Sequence, residues 1–196
     1  MRTINIQTLS KVKTKKNICW DVLIDYTHFI YRHKSSFDYF EVIKDDFDTQ
    51  IFYYETKLFP WLPISPTKKF ISIKQINHNN FSFKQIYKDL NSKQHAYMSV
   101  KMIEKDENNI EITTKYKIEV GGLYYFLRRL AVFFIHLKTR QMWNEDKEMM
   151  IERLNSKIKS EKVCLGPQKK LYNYFIREFE NKIPNDFKNE FFNSYE

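Results

Sequence analysis

Apolar and polar residues alternate over "TINIQTL", residues 3–9, as they do in a half-buried strand, and residues 17–33 follow with apolar positions at helical spacing. Six further strand-like runs come next: "YFEVIK", "QIFYYETKLF", "KKFISIKQI", "FSFKQIYK", "HAYMSVKMIE" and "NIEITTKYKIEV". The pieces between them, "KDDFD", "NHNN", "LNSK" and "KDENN", are rich in turn formers and short enough for hairpins. This pattern predicts an antiparallel meander of about seven strands. The connection "PWLPISP" carries three prolines, cannot be a central strand and reads as a loop at a pocket rim. After Gly121 and Gly122 a helical pattern runs to about residue 160. The expected fold class is α+β, a curved antiparallel sheet wrapped on a long C-terminal helix, with an apolar pocket in the gap between them. Residues 1–160 form the expected main domain and 161–196 a short helical tail.

Composition narrows the classes. A chain of 196 residues, 42% hydrophobic and 17% aromatic, can bury a full core, which excludes a disordered polypeptide. Its formal charge of +9 predicts an anionic partner without choosing among nucleic acid, an acidic membrane surface and an acidic protein. Two cysteines, Cys19 and Cys164, are too few for a disulfide framework, and "MRTINIQTLSKVKTKK" lacks the apolar stretch of a signal peptide, so the expected compartment is the cytoplasm. The most membrane-like run, "LYYFLRRLAVFFIHLK", is interrupted by Arg128 and Arg129 and falls short of the roughly 20 apolar residues needed to span a bilayer. It suits contact with a membrane surface, or a core helix with two solvated arginines.

The stretch "WDVLIDYTHFIYRH" sets Asp21, Asp25, His28 and His33 in an otherwise apolar run. Asp21, Asp25 and His28, four and three residues apart, would share one face of a helix. His33 would lie about 140° away on an ideal helix and converge with His28 only if the helix ends between them. A mononuclear Fe(II) site takes two imidazoles and one carboxylate. In "RQMWNEDKEMMIERL", Trp143, Met150 and Leu154 define an apolar stripe that includes Asp146, while Glu145, Glu148 and Glu152 fall on the polar side. A carboxylate on a buried stripe needs a partner, either a metal or a Lys or Arg side chain.

The order of elements resembles the helix-grip (START-like) fold of the START and pollen-allergen-like superfamily. "DVLIDYTHFIYRH" resembles the iron-binding stretch of the catalytic domain of Rieske-type non-haem iron oxygenase α subunits, approximately D-N-L-x-D-x-x-H-x-x-x-x-H. "NEDKEMMIERL" is similar to the segment that supplies their carboxylate ligand. The resemblance implies that His28, His33 and Asp146 hold Fe(II). It also implies that Asp25 orients a ligand histidine and lies on the electron route. Val22 stands where the family pattern has Asn. A Rieske cluster needs C-x-H and C-x-x-H motifs, and neither cysteine begins one. The resemblance therefore implies an oxygenase-like protein acting on an apolar or aromatic small molecule by hydroxylation, desaturation or oxidative cleavage. Electrons would come from a separate ferredoxin or Rieske protein, steered by the basic surface. It also implies a trimer, although the reason for that homo-oligomer weakens without a cluster.

The expected pocket lining is the inward set of "IFYYETKLF", "FSFKQIYK" and "AYMSVKM" with Phe133, Phe134 or Leu137; His95 is either a donor to substrate or a strand-end residue. A competing reading is a metal-free helix-grip carrier of a lipid or other hydrophobic ligand. Nucleic-acid binding ranks third, resting on Tyr and Lys interleaved in "KQIYKDL" and "TTKYKIEV". There is no zinc spacing, Gly-rich phosphate loop or nucleophile elbow.

Overall fold

A computed structural model describes residues 2–26, 29, 33, 37–57, 66–92, 95–121, 125–126 and 128–155. The expected strands form where the alternation placed them: β1 (Arg2–Lys13), β2 (Tyr39–Asp45), β3 (Thr49–Lys57), β4 (Thr67–Asn77), β5 (Ser82–Asp89), β6 (His95–Asp106) and β7 (Asn109–Val120). They make one sheet in the order β1-β7-β6-β5-β4-β3-β2. Every neighbouring pair is antiparallel, and β1 closes the sheet by pairing with β7 from Arg2↔Val120 to Lys13↔Asn109.

Among the described residues the helices α1 (Lys16–Ile24) and α2 (Arg128–Asn155) lie on one face. The core between them and the sheet joins Cys19, Trp20, Val22 and Leu23 of α1 to Trp143, Met149 and Met150 of α2. Beneath these lie Phe83, Val100, Met102, Ile110 and Ile112. Register identifies the rest of this helix-bearing, concave face. Tyr116 bonds Thr139 of α2 through their hydroxyls at 3.4 Å, so its row, Ile6, Tyr116, Met98 and Gln85, points inward. The row Asn5, Lys117, Tyr97 and Ile86 points outward. A smaller cluster of Ile51, Tyr53, Ile71 and Ile86 is buried on that outer face.

Three expectations need correction. The helix over residues 17–33 is shorter: α1 stops at Ile24, and Asp25 caps it with extended backbone (φ −79°, ψ 108°). Phe133 and Leu137 point away from the sheet and are 56% and 48% exposed, because α2 buries the opposite side of its cylinder. Tyr87 and Tyr116, taken with their lysines as a stacking platform, lie on the concave face, while Lys115 and Lys117 alternate to the outer one. The helical tail over 161–196, Cys164, Leu154's side chain and "PWLPIS" lie outside the described residues. Among the described residues no helix is long and apolar enough to cross a membrane.

Candidate functional site

The end of α1 fixes the centre of the concave face. A helix leaves its last carbonyls without intrahelical partners, and their partial negative charge attracts donors and cations. The sheet supplies both. Lys74 Nζ of β4 donates to Leu23 O at 2.7 Å, and Gln50 Nε2 of β3 donates to Ile24 O at 3.0 Å and to Asp45 Oδ1 at 2.9 Å. Lys74 is 2% exposed and its ammonium sits 4.2 Å over the Phe83 ring. Burial lowers its pKa to about 7, although Asp146, Asp25 and Asp45 pull the other way.

Beside this anchor stands a histidine between two carboxylates. His33 is fully buried, its Nε2 lies 3.1 Å from Asp146 Oδ1, and its Nδ1 makes a short hydrogen bond with Glu145 Oε2. Phe29 packs on its ring at 5.1 Å between centroids. Burial opposes a charged imidazole, but the hydrogen bond and charge of Asp146, and then those of Glu145, outweigh it and hold the His33 pKa above its usual value. Cys19 is buried close to Asp146, and burial first, then that charge, pushes its thiol up to about 12. It is therefore no nucleophile at neutral pH.

The sequence-derived residues divide accordingly. His33 and Asp146 are brought together. Asp25 is buried at the end of α1, near enough to Lys74 to act on its charge, while Asp21 is exposed. Since α1 ends at Ile24, the shared helical face proposed for Asp21, Asp25 and His28 is already broken at Asp25, and His28 lies outside the described residues. Glu145 is a correction: assigned to the polar side, it turns to His33, because consecutive helical residues about 100° apart can flank one inserted ring from both sides. Among the described residues no group of three His, Cys, Asp or Glu side chains is arranged to hold a metal. Lys74 and Gln50 escaped sequence reasoning; the only signal was a polar residue within a mostly apolar alternating row.

The other half of the concave face is aromatic. Tyr54 stacks on Phe70 at 5.3 Å, meets Tyr87 edge-on at 6.4 Å, and Tyr87 OH donates to Met98 Sδ at 3.5 Å. Burial raises the pKa values of Tyr54, Tyr87 and Tyr116, keeping their hydroxyls neutral. Two cations border this wall. Lys68 pairs with Asp89 at 2.7 Å, whereas Lys138 of α2 donates to the neutral Thr56 Oγ1 at 3.3 Å. His95, at the start of β6, is half-buried.

No family profile and no curated protein matches the sequence. Solved structures do. The Zhui aromatase/cyclase from Streptomyces sp. R1128 is similar with a TM-score of 0.64 at 8% identity, covering 78% of this chain and 96% of that one. Norcoclaurine synthase from Thalictrum flavum, in complex with dopamine and hydroxybenzaldehyde, gives 0.61 at 12% identity, covering 82% and 90%. The structure of Ara h 8.0201 gives 0.56 at 6% identity, covering 77% and 99%. At these identities the likeness is one of architecture, and the chain has the helix-grip fold.

Proposed function

We propose that the protein binds a hydrophobic small molecule between the concave face of the sheet and α2. The observation that carries this reading is the aromatic wall of Tyr54, Phe70 and Tyr87 with Tyr116 beside it, facing α2 instead of solvent. Aromatic lining with a few placed polar groups is the usual chemistry of such sites. The similar norcoclaurine synthase structure holds dopamine and hydroxybenzaldehyde, two small aromatic molecules, which supports the reading. Here the Tyr116, Tyr87 and Thr139 hydroxyls and Lys138 would orient the ligand. Fluorescence titration with N-phenyl-1-naphthylamine, a neutral apolar probe, tests it. Saturable binding that is weakened in Tyr54→Ala/Phe70→Ala is expected; absence of saturable binding by the intact protein would overturn the reading.

A second reading keeps the oxygenase-like chemistry and rests on His33, Asp146 and Glu145. Two donors bound at right angles to one metal, each about 2.1 Å away, lie about 3 Å apart, which matches His33 Nε2 and Asp146 Oδ1 at 3.1 Å. A carboxylate on the other ring nitrogen is the arrangement that orients metal-bound histidines, and Glu145 supplies it. His33 and Asp146 would supply two ligands to Fe(II), and the third that the resemblance implies, His28, lies outside the described residues. Bound there, iron would supply oxygen activation beside the aromatic wall, while Glu145 would hold the His33 tautomer and Asp25 would lie near the site. Iron content after anaerobic purification separates the two readings. Near-stoichiometric iron lost in His28→Ala, His33→Ala and Asp146→Ala supports the metal centre. Iron absent from the wild type and not taken up on addition leaves the binding protein.

A further inference from the structure

We propose that the solvent face of α2 around Phe133, with Phe126 just before the helix, is a docking surface for an anionic lipid bilayer. Phe126, Leu130, Phe133 and Leu137 are 83%, 49%, 56% and 48% exposed. Their spacing of i, i+4, i+7 and i+11 puts them on one stripe, opposite the side on which α2 buries Thr139, Trp143 and Met150. Single exposed apolar residues are ordinary, but three large ones in register on one helix, with a fourth just before it in the same register, are not.

Charge selects the occupant. The stripe is flanked by exposed Arg129 and Arg140, and no Asp or Glu occurs from residue 120 to 144. At the beginning of the helix Arg2 and Arg128 lie over the Tyr125 ring at 4.9 and 4.7 Å, adding cations to the same end. Arg128 and Arg129 occupy the first turn, which contains no acidic residue, so they oppose the helix dipole and cost local stability. An apolar stripe bordered by arginines is the pattern of a helix lying in the plane of a membrane interface, its large side chains among the acyl chains and its guanidinium groups on lipid phosphates. A second copy fits less well, since an isologous contact would bring the same arginines of both chains together. The inference does not depend on which ligand the concave face takes.

Co-sedimentation of the full chain with phosphatidylcholine vesicles, and with vesicles that also contain phosphatidylglycerol, tests this surface. The wild type should bind the mixed vesicles, more weakly in high salt, and the neutral ones poorly. Phe126→Asp/Phe133→Asp should lose at least about tenfold in binding, the order expected when two inserted aromatic side chains are removed. Arg129→Glu/Arg140→Glu should lose the preference for phosphatidylglycerol. Because all four side chains are exposed, unchanged thermal melting separates loss of docking from loss of fold. Wild-type binding no stronger than that of the variants, or no binding to either vesicle, would overturn the proposal. Self-association abolished by the Phe variants without vesicle binding would also overturn it, in favour of a second copy.

Discussion

Lys74 is one residue with two opposed effects. Its amine satisfies the Leu23 carbonyl at the end of α1, yet burial lowers its pKa from 10.5 to about 7. Between those values the unfolded chain holds a proton that the folded chain has released, so stability rises with pH across that window. Below pH 7 both states carry the charge and the folded state bears its desolvation. Lys74→Met should therefore be more stable than the wild type at pH 6, by a few kcal/mol less about 1 kcal/mol for the lost hydrogen bond, and should lose the slope between pH 7 and 10. Urea denaturation at pH 6 and pH 9 measures this; a wild-type slope retained in the variant would show that another group titrates. Lys138 bears on the ligand instead. It is half-buried and bonded to Thr56, and among the described residues no carboxylate is ion-paired with it, although Asp38 is near enough to act on its charge. An incoming anionic head group would fill that role. Lys138→Met should weaken binding of 1-anilinonaphthalene-8-sulfonate by about tenfold while leaving a neutral probe unaffected, as expected for a poorly solvated charge pair. Equal loss for both probes would point to lost packing. Neither lysine is recognisable from the sequence alone: alternation says that Phe70, Ser72, Lys74 and Ile76 share a face, but not that the face is the inner one.

At the scale of elements, the turn between β4 and β5 is tied to α1. Phe81 has φ 46°, the left-handed region that costs a residue with a side chain roughly 1 kcal/mol or more. In return its ring meets Trp20 edge-on at 5.5 Å and receives the Lys16 ammonium at 4.0 Å. Trp20 also donates through Nε1 to His78 Nδ1 at 3.3 Å, and Phe47 stacks on His78 at 4.1 Å, so α1, the β2–β3 turn and the β4–β5 turn lock together. Phe81→Gly would relieve the backbone strain and lose the packing. Because the aromatic contacts outweigh the strain, the net result should be destabilisation by about 1–2 kcal/mol in urea unfolding; a stabilised variant would mean that the ring contributes less than its conformation costs. The strands themselves were legible because turn formers separate them and period-two alternation is clear in β1 and β7, although β2 and β3 bury consecutive residues. The end of α1 was not. Apolar spacing continues past Asp25, and what stops the helix is the capture of its last carbonyls by Lys74 and Gln50 from distant strands.

For the whole molecule the excess of nine positive charges sets the response to salt. The described surface ion pairs, such as Lys16–Glu104 at 3.5 Å and Lys69–Glu55 at 3.4 Å, are worth at most about 1 kcal/mol each and weaken on screening. Net repulsion weakens as well, and it acts over the whole surface. Repulsion should win at pH 7, so that raising potassium chloride from low to physiological strength increases the melting temperature by a few degrees. A decrease would show that local pairs dominate. The buried contacts of His33 with Glu145 and Asp146 should be insensitive to this change.

The sequence by itself determined the class of fold, since alternation, turn chemistry and one long helical pattern are local properties that read out along the chain. It also marked His33 and Asp146, because charged residues within apolar runs are visible without coordinates. Only the tertiary structure decided which face each strand turns inward, that Glu145 joins His33 from the side assigned to solvent, and that Phe133 and Leu137 face outward. Those outcomes depend on contacts between residues far apart in the chain, such as His33 with Glu145, 112 positions away, and Tyr116 with Thr139, 23 away, and no local period encodes which distant neighbour a side chain will meet.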